Sequence, residues 1–259
     1  MPAVNDILKY LFALAPERYK LDWDYVGLMC GHADGKVTKI LVALDATLNV
    51  AEEAKALGCE LVVTHHPLIY GGTNTVSDTT VTGKRILAYL ENDLAVISMH
   101  TNLDCAPGGV NDLLAERLGL RDIRIMPNYD DAVYLVRYGE VEEQPLADFL
   151  SLVKKRLGCA GLRYVDGGRP VRRVAVGGGA CGEFFAPVKD LLGCDTYVTA
   201  DVKYHQFCDA EELGINLIDA GHFETENPVT AYVARKLRAA FPEIEVFESK
   251  THADCIKFG

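Results

Sequence analysis

The feature that most constrains this chain is a series of short, mostly apolar runs separated by helix-forming segments. Residues 39–44, 61–64, 94–98, 171–176, 196–199 and 215–218 have strand length and little polar alternation. A strand that is apolar on both sides must be covered on both faces, which is the situation of parallel strands in βαβ units. The intervening segments supply the helices. Residues 49–57 stop at Gly58, 83–91 place Ile86, Leu87 and Leu90 on one face, and 110–118, 184–192 and 209–213 follow. Residues 229–237 carry a stripe of Val229, Tyr232, Val233 and Leu237 behind Pro228, and 244–247 read as a closing strand. The expected class is α/β, with two α/β lobes and mostly parallel sheets, residues 1–125 and 126–259. The stretch at about 130–165 differs from the rest, with a strand at 133–138, a helix at 146–157 and a short strand at 163–165 before the turn Asp166-Gly167-Gly168-Arg169-Pro170.

Composition narrows the function. With 259 residues, 49% hydrophobic and 24% charged, the chain has ample material for a core. Acids outnumber bases 37 to 26, for a net charge of -11, which argues against nucleic acid and against an anionic membrane as partners. No apolar run is long enough to span a bilayer, and the opening Met1-Pro2-Ala3-Val4-Asn5-Asp6 has no secretory pattern. The eight cysteines form no Cys-x-x-Cys pair, so they read as reduced, mostly buried thiols of a cytoplasmic protein and not as a zinc ribbon.

In open α/β sheets, ligands bind beyond the carboxyl ends of the strands. Five of the seven histidines fall at such exits. They are His65 and His66 after residues 61–64, His100 after 94–98, His205 after 196–199 and His222 after 215–218. Neighbours on a strand point to opposite faces, so the His65–His66 pair alone reads as one packed and one exposed ring. At a strand end, where the chain turns, both can aim into one cavity. His100 and Asp104 are four residues apart, as are His222 and Glu226, and a helix or a tight turn would put each pair on one side. Taken singly, Asp104 is also an ordinary turn acid before Pro107, and Glu226 an ordinary helix-start acid. Together, His65, His66, Asp104, His222 and Glu226 offer imidazole and carboxylate ligands from both lobes. That set suits two divalent transition ions such as Zn, Mn or Fe, with Glu226 bridging ions about 3.5–4 Å apart. His100 and His205 read as catalytic proton donors or as partners of ligands, with a structural role equally open. His32 and His252 read as turn or surface residues.

Gly177-Gly178-Gly179-Ala180-Cys181-Gly182 fits G-x-G-x-x-G between a strand and a helix, with Asp201 further on. A tight turn, a backbone cradle for an anionic substrate group and a nicotinamide site are the three readings. The cradle is preferred.

Three segments then make a specific resemblance. Thr64-His65-His66-Pro67-Leu68, His100-Thr101-Asn102-Leu103-Asp104 and Gly221-His222-Phe223-Glu224-Thr225-Glu226 resemble the signatures of the Nif3-like family, whose members also carry the name type-2 GTP cyclohydrolase homologues. Trp23-Asp24, Gly27-Leu28, Ala43-Leu44-Asp45-Ala46-Thr47 and Asp201-Val202-Lys203-Tyr204-His205 extend the likeness over nearly the whole chain. The resemblance implies a dinuclear metal site between two lobes, held by His65, His66, Asp104, His222 and Glu226, in a toroidal homohexamer. It implies metal-dependent hydrolysis of a nucleotide or phosphorylated small molecule, an anionic substrate. A non-catalytic metal-binding scaffold, regulatory protein or metal chaperone is the alternative. Tyr25 stands where family members usually have Asn, and the short stretch at about 130–165 matches the compact members that lack a large inserted domain.

Overall fold

The computed structural model describes residues 1–127 and 133–259. The elements of the first part are α1 (Val4–Leu14), β1 (Gly27–Cys30), β2 (Lys39–Ala43), α2 (Leu48–Leu57), β3 (Leu61–Thr64), α3 (Val81–Leu90), β4 (Ala95–Ser98) and α4 (Thr101–Cys105). Next come α5 (Val110–Leu118), β5 (Arg121–Ile125), β6 (Arg137–Gln144), α6 (Leu146–Leu157), β7 (Arg163–Val165) and β8 (Val171–Val176). The last are α7 (Phe185–Leu192), β9 (Thr196–Thr199), α8 (Tyr204–Leu213), β10 (Asn216–Asp219), α9 (His222–Glu226), α10 (Pro228–Ala240) and β11 (Glu245–Glu248).

The chain forms two compact units. One comprises Met1–Ala106 with Val229–Ala253, and the other Pro107–Pro228 with Asp254–Gly259. This partition differs from a single cut at 125/126. Residues 107–125 join the second unit because α5 supplies Leu114 and Leu118 to its core and β5 pairs with β6. Residues 229–253 return to the first unit because β11 pairs with β2, Val246 opposite Ile40.

The first unit holds a five-stranded sheet, β1-β4-β3-β2-β11, parallel except for β1, which runs antiparallel to β4. Every residue of β3 and β4 is buried, as two-sided coverage requires. Leu41, Val50, Ala54, Val62, Ile86, Tyr89 and Val96 form the core beneath α2 and α3. Full burial of a large aliphatic or aromatic side chain contributes about 1.5–3 kcal/mol. Thr47 caps α2 by accepting from the Val50 N–H, and Gly58 ends it in the left-handed conformation.

The second unit holds a six-stranded sheet, β5-β6-β8-β9-β10-β7. Its parallel centre, β8-β9-β10, is flanked by antiparallel β5, β6 and β7. Phe149 and Val153 of α6 pack with Leu114, Val174, Val198 and Ile218. The expected strand at 133–138 is corrected here: a 3-10 turn at Val133–Leu135 precedes β6. Arg137 sets that start. It is fully buried, and its Nε and Nη2 donate to Asp112 Oδ1 and Oδ2 at 2.8 and 3.2 Å. Of the stretch at about 130–165, residues 130–132 lie outside the described residues. Five of the eight cysteines, Cys59, Cys105, Cys159, Cys181 and Cys194, are buried. Among the described residues no helix is long and apolar enough to cross a membrane.

Candidate metal centre

Each unit gathers ligand-type side chains at its strand exits. In the first unit, β3 ends at Thr64 and the chain turns at once. The N–H groups of both His65 and His66 donate to the same carbonyl, Leu44 O, at 3.2 and 2.9 Å. Two successive N–H groups cannot meet one acceptor on a regular strand, whose residues alternate in direction. The Thr64 hydroxyl closes the turn by donating to His66 O at 2.8 Å. The two rings therefore lie side by side, centroids 5.0 Å apart. His65, His66 and His100 each offer a ligand atom within 4.8 Å of the others.

The orientation of each ring is fixed through Nδ1. His65 Nδ1 is 2.8 Å from Met99 O, a carbonyl that can only accept, so Nδ1 carries a proton and Nε2 is the nitrogen turned towards Asp104. His66 Nδ1 is 2.8 Å from Asp45 Oδ1, and His100 Nδ1 is 2.9 Å from Asp24 Oδ1. Asp104 sits at the end of α4 with Oδ1 3.4 Å from His65 Nε2. The short helix, not an open turn, brings the end of the His100–Asp104 pair back to the site: the Leu103 and Asp104 N–H groups donate to His100 O.

The acids behind the rings are strongly engaged. Asp24 is buried and also accepts from the Tyr25 N–H, the Thr101 N–H and the Thr101 hydroxyl. Burial alone would raise its pKa, but the His100 and Thr101 contacts override that and hold it below the ordinary carboxylate value. Asp45 is held far lower. Burial opposes this, and the contacts with His252 and His66 outweigh it. His252 is therefore no mere surface residue, which corrects the sequence reading. Its Nε2 lies 2.8 Å from Asp45 Oδ2 and its side chain is 10% exposed.

In the second unit, α9 begins just beyond β10. His222 Nδ1 is 2.8 Å from Asp201 Oδ2 and its Nε2 is 2.9 Å from Glu226 Oε2. Burial would lower the His222 pKa, but the two flanking carboxylates raise it to about 11. His205 lies exposed in the first turn of α8 and belongs to none of the potential metal-holding groups found among the described residues. His32 is exposed.

The glycine-rich turn serves this site from behind, and the expected anion cradle is corrected. Gly177 N–H donates to Val198 O, Gly178 N–H to Asn111 Oδ1 at 2.7 Å and Gly179 N–H to Thr225 Oγ1 at 3.1 Å, so these donors face the protein. Gly179 has φ +63°, and a Cβ there would stand 2.0 Å from Glu226 Oε1 and 3.1 Å from His222 Nε2. The glycine is required by the close approach of Glu226.

Sequence reasoning missed Asp24, Asp45 and Asp201 as partners of histidines. The signal was available for two of them, since Asp45 and Asp201 stand just past β2 and β9. The donor set fits a divalent transition metal: several imidazoles with Nδ1 held by oxygen, plus the buried carboxylates of Asp104 and Glu226.

Comparison with known proteins bears on this site. A model of the family described as Duf34/NIF3 (NGG1p interacting factor 3) matches residues 2–255. The chain is 36% identical over 260 residues to a protein of Clostridium perfringens named "GTP cyclohydrolase 1 type 2 homolog", covering 98% of this chain and 99% of that one. A protein of the same name from Clostridium acetobutylicum is 33% identical over 264 residues, with 98% of each chain covered. Among solved structures, a Bacillus cereus protein related to NIF3 superposes with a TM-score of 0.91 at 25% identity, covering 100% of this chain and 99% of the other.

Proposed function

The chain belongs to the Duf34/NIF3 family, and from that premise we propose that it is a dinuclear metal-dependent hydrolase of a nucleotide or phosphorylated small molecule. His65, His66 and Asp104 of the first unit and His222 and Glu226 of the second are the proposed ligands of two ions, Zn, Mn or Fe. The single observation that carries the reading is the Nδ1 pattern: His65, His66 and His222 each have Nδ1 against an oxygen acceptor. Bound there, the ions would supply Lewis acidity and lower the pKa of a water towards neutrality.

The chain's own residues do the rest. Met99 O, Asp45 and Asp201 orient His65, His66 and His222. His100 is kept in line by Asp24, leaving its Nε2 to give or take a proton at the substrate. His205, exposed on α8, is proposed to contact the substrate's anionic group. The relatives named GTP cyclohydrolase homologues make GTP one member of the substrate panel. A toroidal homohexamer in the cytoplasm is the proposed form, tested by light scattering.

Elemental analysis of gently purified protein tests the centre. Two transition ions per chain are expected, falling in His66→Ala. Protein that stays metal-free after reconstitution overturns the reading. Metal-dependent turnover of phosphate esters or nucleotides, lost in His65→Ala and Glu226→Ala, is the expected activity. Full metal loading with no turnover on any of them favours the scaffold or metal-chaperone reading. The charge of -11 gives that second reading its weight, because it does not draw an anionic substrate towards the protein.

A further inference from the structure

Beside His100 the first unit exposes two large aromatic rings. Trp23 is 52% and Tyr70 67% exposed. Single exposed apolar side chains are ordinary, but adjacent aromatic rings next to a polar site are not. Trp23 and Tyr70 have centroids 5.9 Å apart and planes inclined at 63°. Each also lies edge-on against His100, Trp23 at 5.9 Å and 72° and Tyr70 at 6.5 Å and 76°. The His100 ring is in turn fixed by Asp24, and lies 5.4 Å from the His65 ring and 5.8 Å from that of His66.

Two rings inclined in this way form a corner. A flat aromatic guest can stack on one face while its edge meets the other ring, and both arrangements are favourable for aromatic pairs at such separations. The corner carries no charge of its own, so it selects for a π-face and not for an anion. The ring edges gathered around His100 also fix where such a guest would end: at the imidazole and the ligand histidines behind it.

We propose that Trp23 and Tyr70 are a stacking corner for the planar heteroaromatic base of a nucleotide, and that they set specificity for a base-bearing substrate over a simple sugar phosphate. The inference rests on the hydrolase reading for the fate of the bound nucleotide, but not for its binding. Stacking tolerates any base, so purine and pyrimidine nucleotides should both bind, purines more tightly because of their larger face.

Trp23 is the chain's single tryptophan, which makes the test direct. Guanosine and adenosine 5′-monophosphates are titrated into the full-length metal-loaded protein and Trp23 emission is followed. Ribose 5-phosphate serves as the baseless control, and metal content is measured on the same samples. Quenching by both nucleotides and not by ribose 5-phosphate is expected. Tyr70→Leu should weaken nucleotide binding by about 5- to 150-fold, the range of one base–aromatic contact. Tyr70→Phe should restore it, and neither variant should change metal content. Tyr70 is exposed, so these substitutions leave the core intact. If the protein loads metal but nucleotides and ribose 5-phosphate bind alike, the stacking corner is wrong and the metal reading stands. If nucleotides quench protein that cannot be loaded with metal, the corner stands and the metal reading falls.

Discussion

At the scale of single residues, the carboxylates behind the histidines carry consequences that the ligands alone do not. Asp45 lies between His66 and His252, with one oxygen on each. His252 is held in place by its own segment, since Glu53 accepts from the Ser249 hydroxyl, the Lys250 N–H and the Thr251 hydroxyl. Removing an outer partner of a ligating histidine typically costs 10- to 100-fold in metal affinity, roughly the loss expected for Asp45→Asn. His252→Ala should give a smaller loss in the same direction. Competition against a chromophoric zinc chelator measures both, and unchanged affinity in Asp45→Asn would remove Asp45 from the site. Gly179 makes a second point. An alanine there must adopt φ +63° and place its Cβ against Glu226 Oε1. The left-handed conformation alone costs an L-residue about 1–2 kcal/mol. Gly179→Ala should therefore lower the urea midpoint and also displace Glu226. A variant with wild-type stability and metal content would show that the turn yields freely.

At the scale of elements, Glu60 offers a pH-dependent test. It lies just before β3, and its carboxylate accepts from the Thr38 N–H, the Lys39 N–H and the Thr38 hydroxyl at the start of β2. Burial would raise its pKa, but these donors win and hold it below the ordinary value of 4.5. A carboxylate with a depressed folded pKa stabilises the fold above its unfolded value, and that contribution disappears as pH falls through the folded one. Glu60→Gln should thus be the less stable protein at pH 7, with the gap from wild type closing below pH 4.5. Urea denaturation at several pH values reads this, and a gap that stays constant would contradict it. The same scale shows what the sequence could reveal. The runs at β3 and β9 were legible to the residue because every residue in them is buried, and β8 was legible from Val171 and Val174–Val176, although Arg172 is exposed. β5 and β6 were not, since charged residues such as Arg121, Arg124 and Glu140 point outward from them. α1 carries Val4, Ile7 and Leu11 at helical spacing, a readable signal. The i,i+4 pairs of α4 and α9 were legible as spacing. Which imidazole nitrogen faces which acid depends on tertiary contact and was not.

At the scale of the whole molecule, the first unit is discontinuous in sequence, and a linear reading cannot express that. A strand signal at 244–247 says nothing of which sheet it joins. The return is built from several contacts. β11 lies beside β2, Tyr10 of α1 donates to Lys236 O and sits edge-on against Phe241, and Glu53 of α2 fastens residues 249–251. If β11 belongs energetically to that sheet, its amides should open with those of β2. Native-state hydrogen exchange tests this with a core truncation in the first unit. Leu41 is fully buried, and Leu→Ala at such a site costs about 2–5 kcal/mol. In Leu41→Ala, protection at 245–248 should fall by the same factor as at 39–43, because both segments lose their partners in one opening event. If 39–43 lose protection while 245–248 keep theirs, β11 is only an attached edge, and the segment carrying His252 owes its position to Glu53 instead. The distinction reaches the metal site, because His252 approaches Asp45 from the segment that β11 anchors.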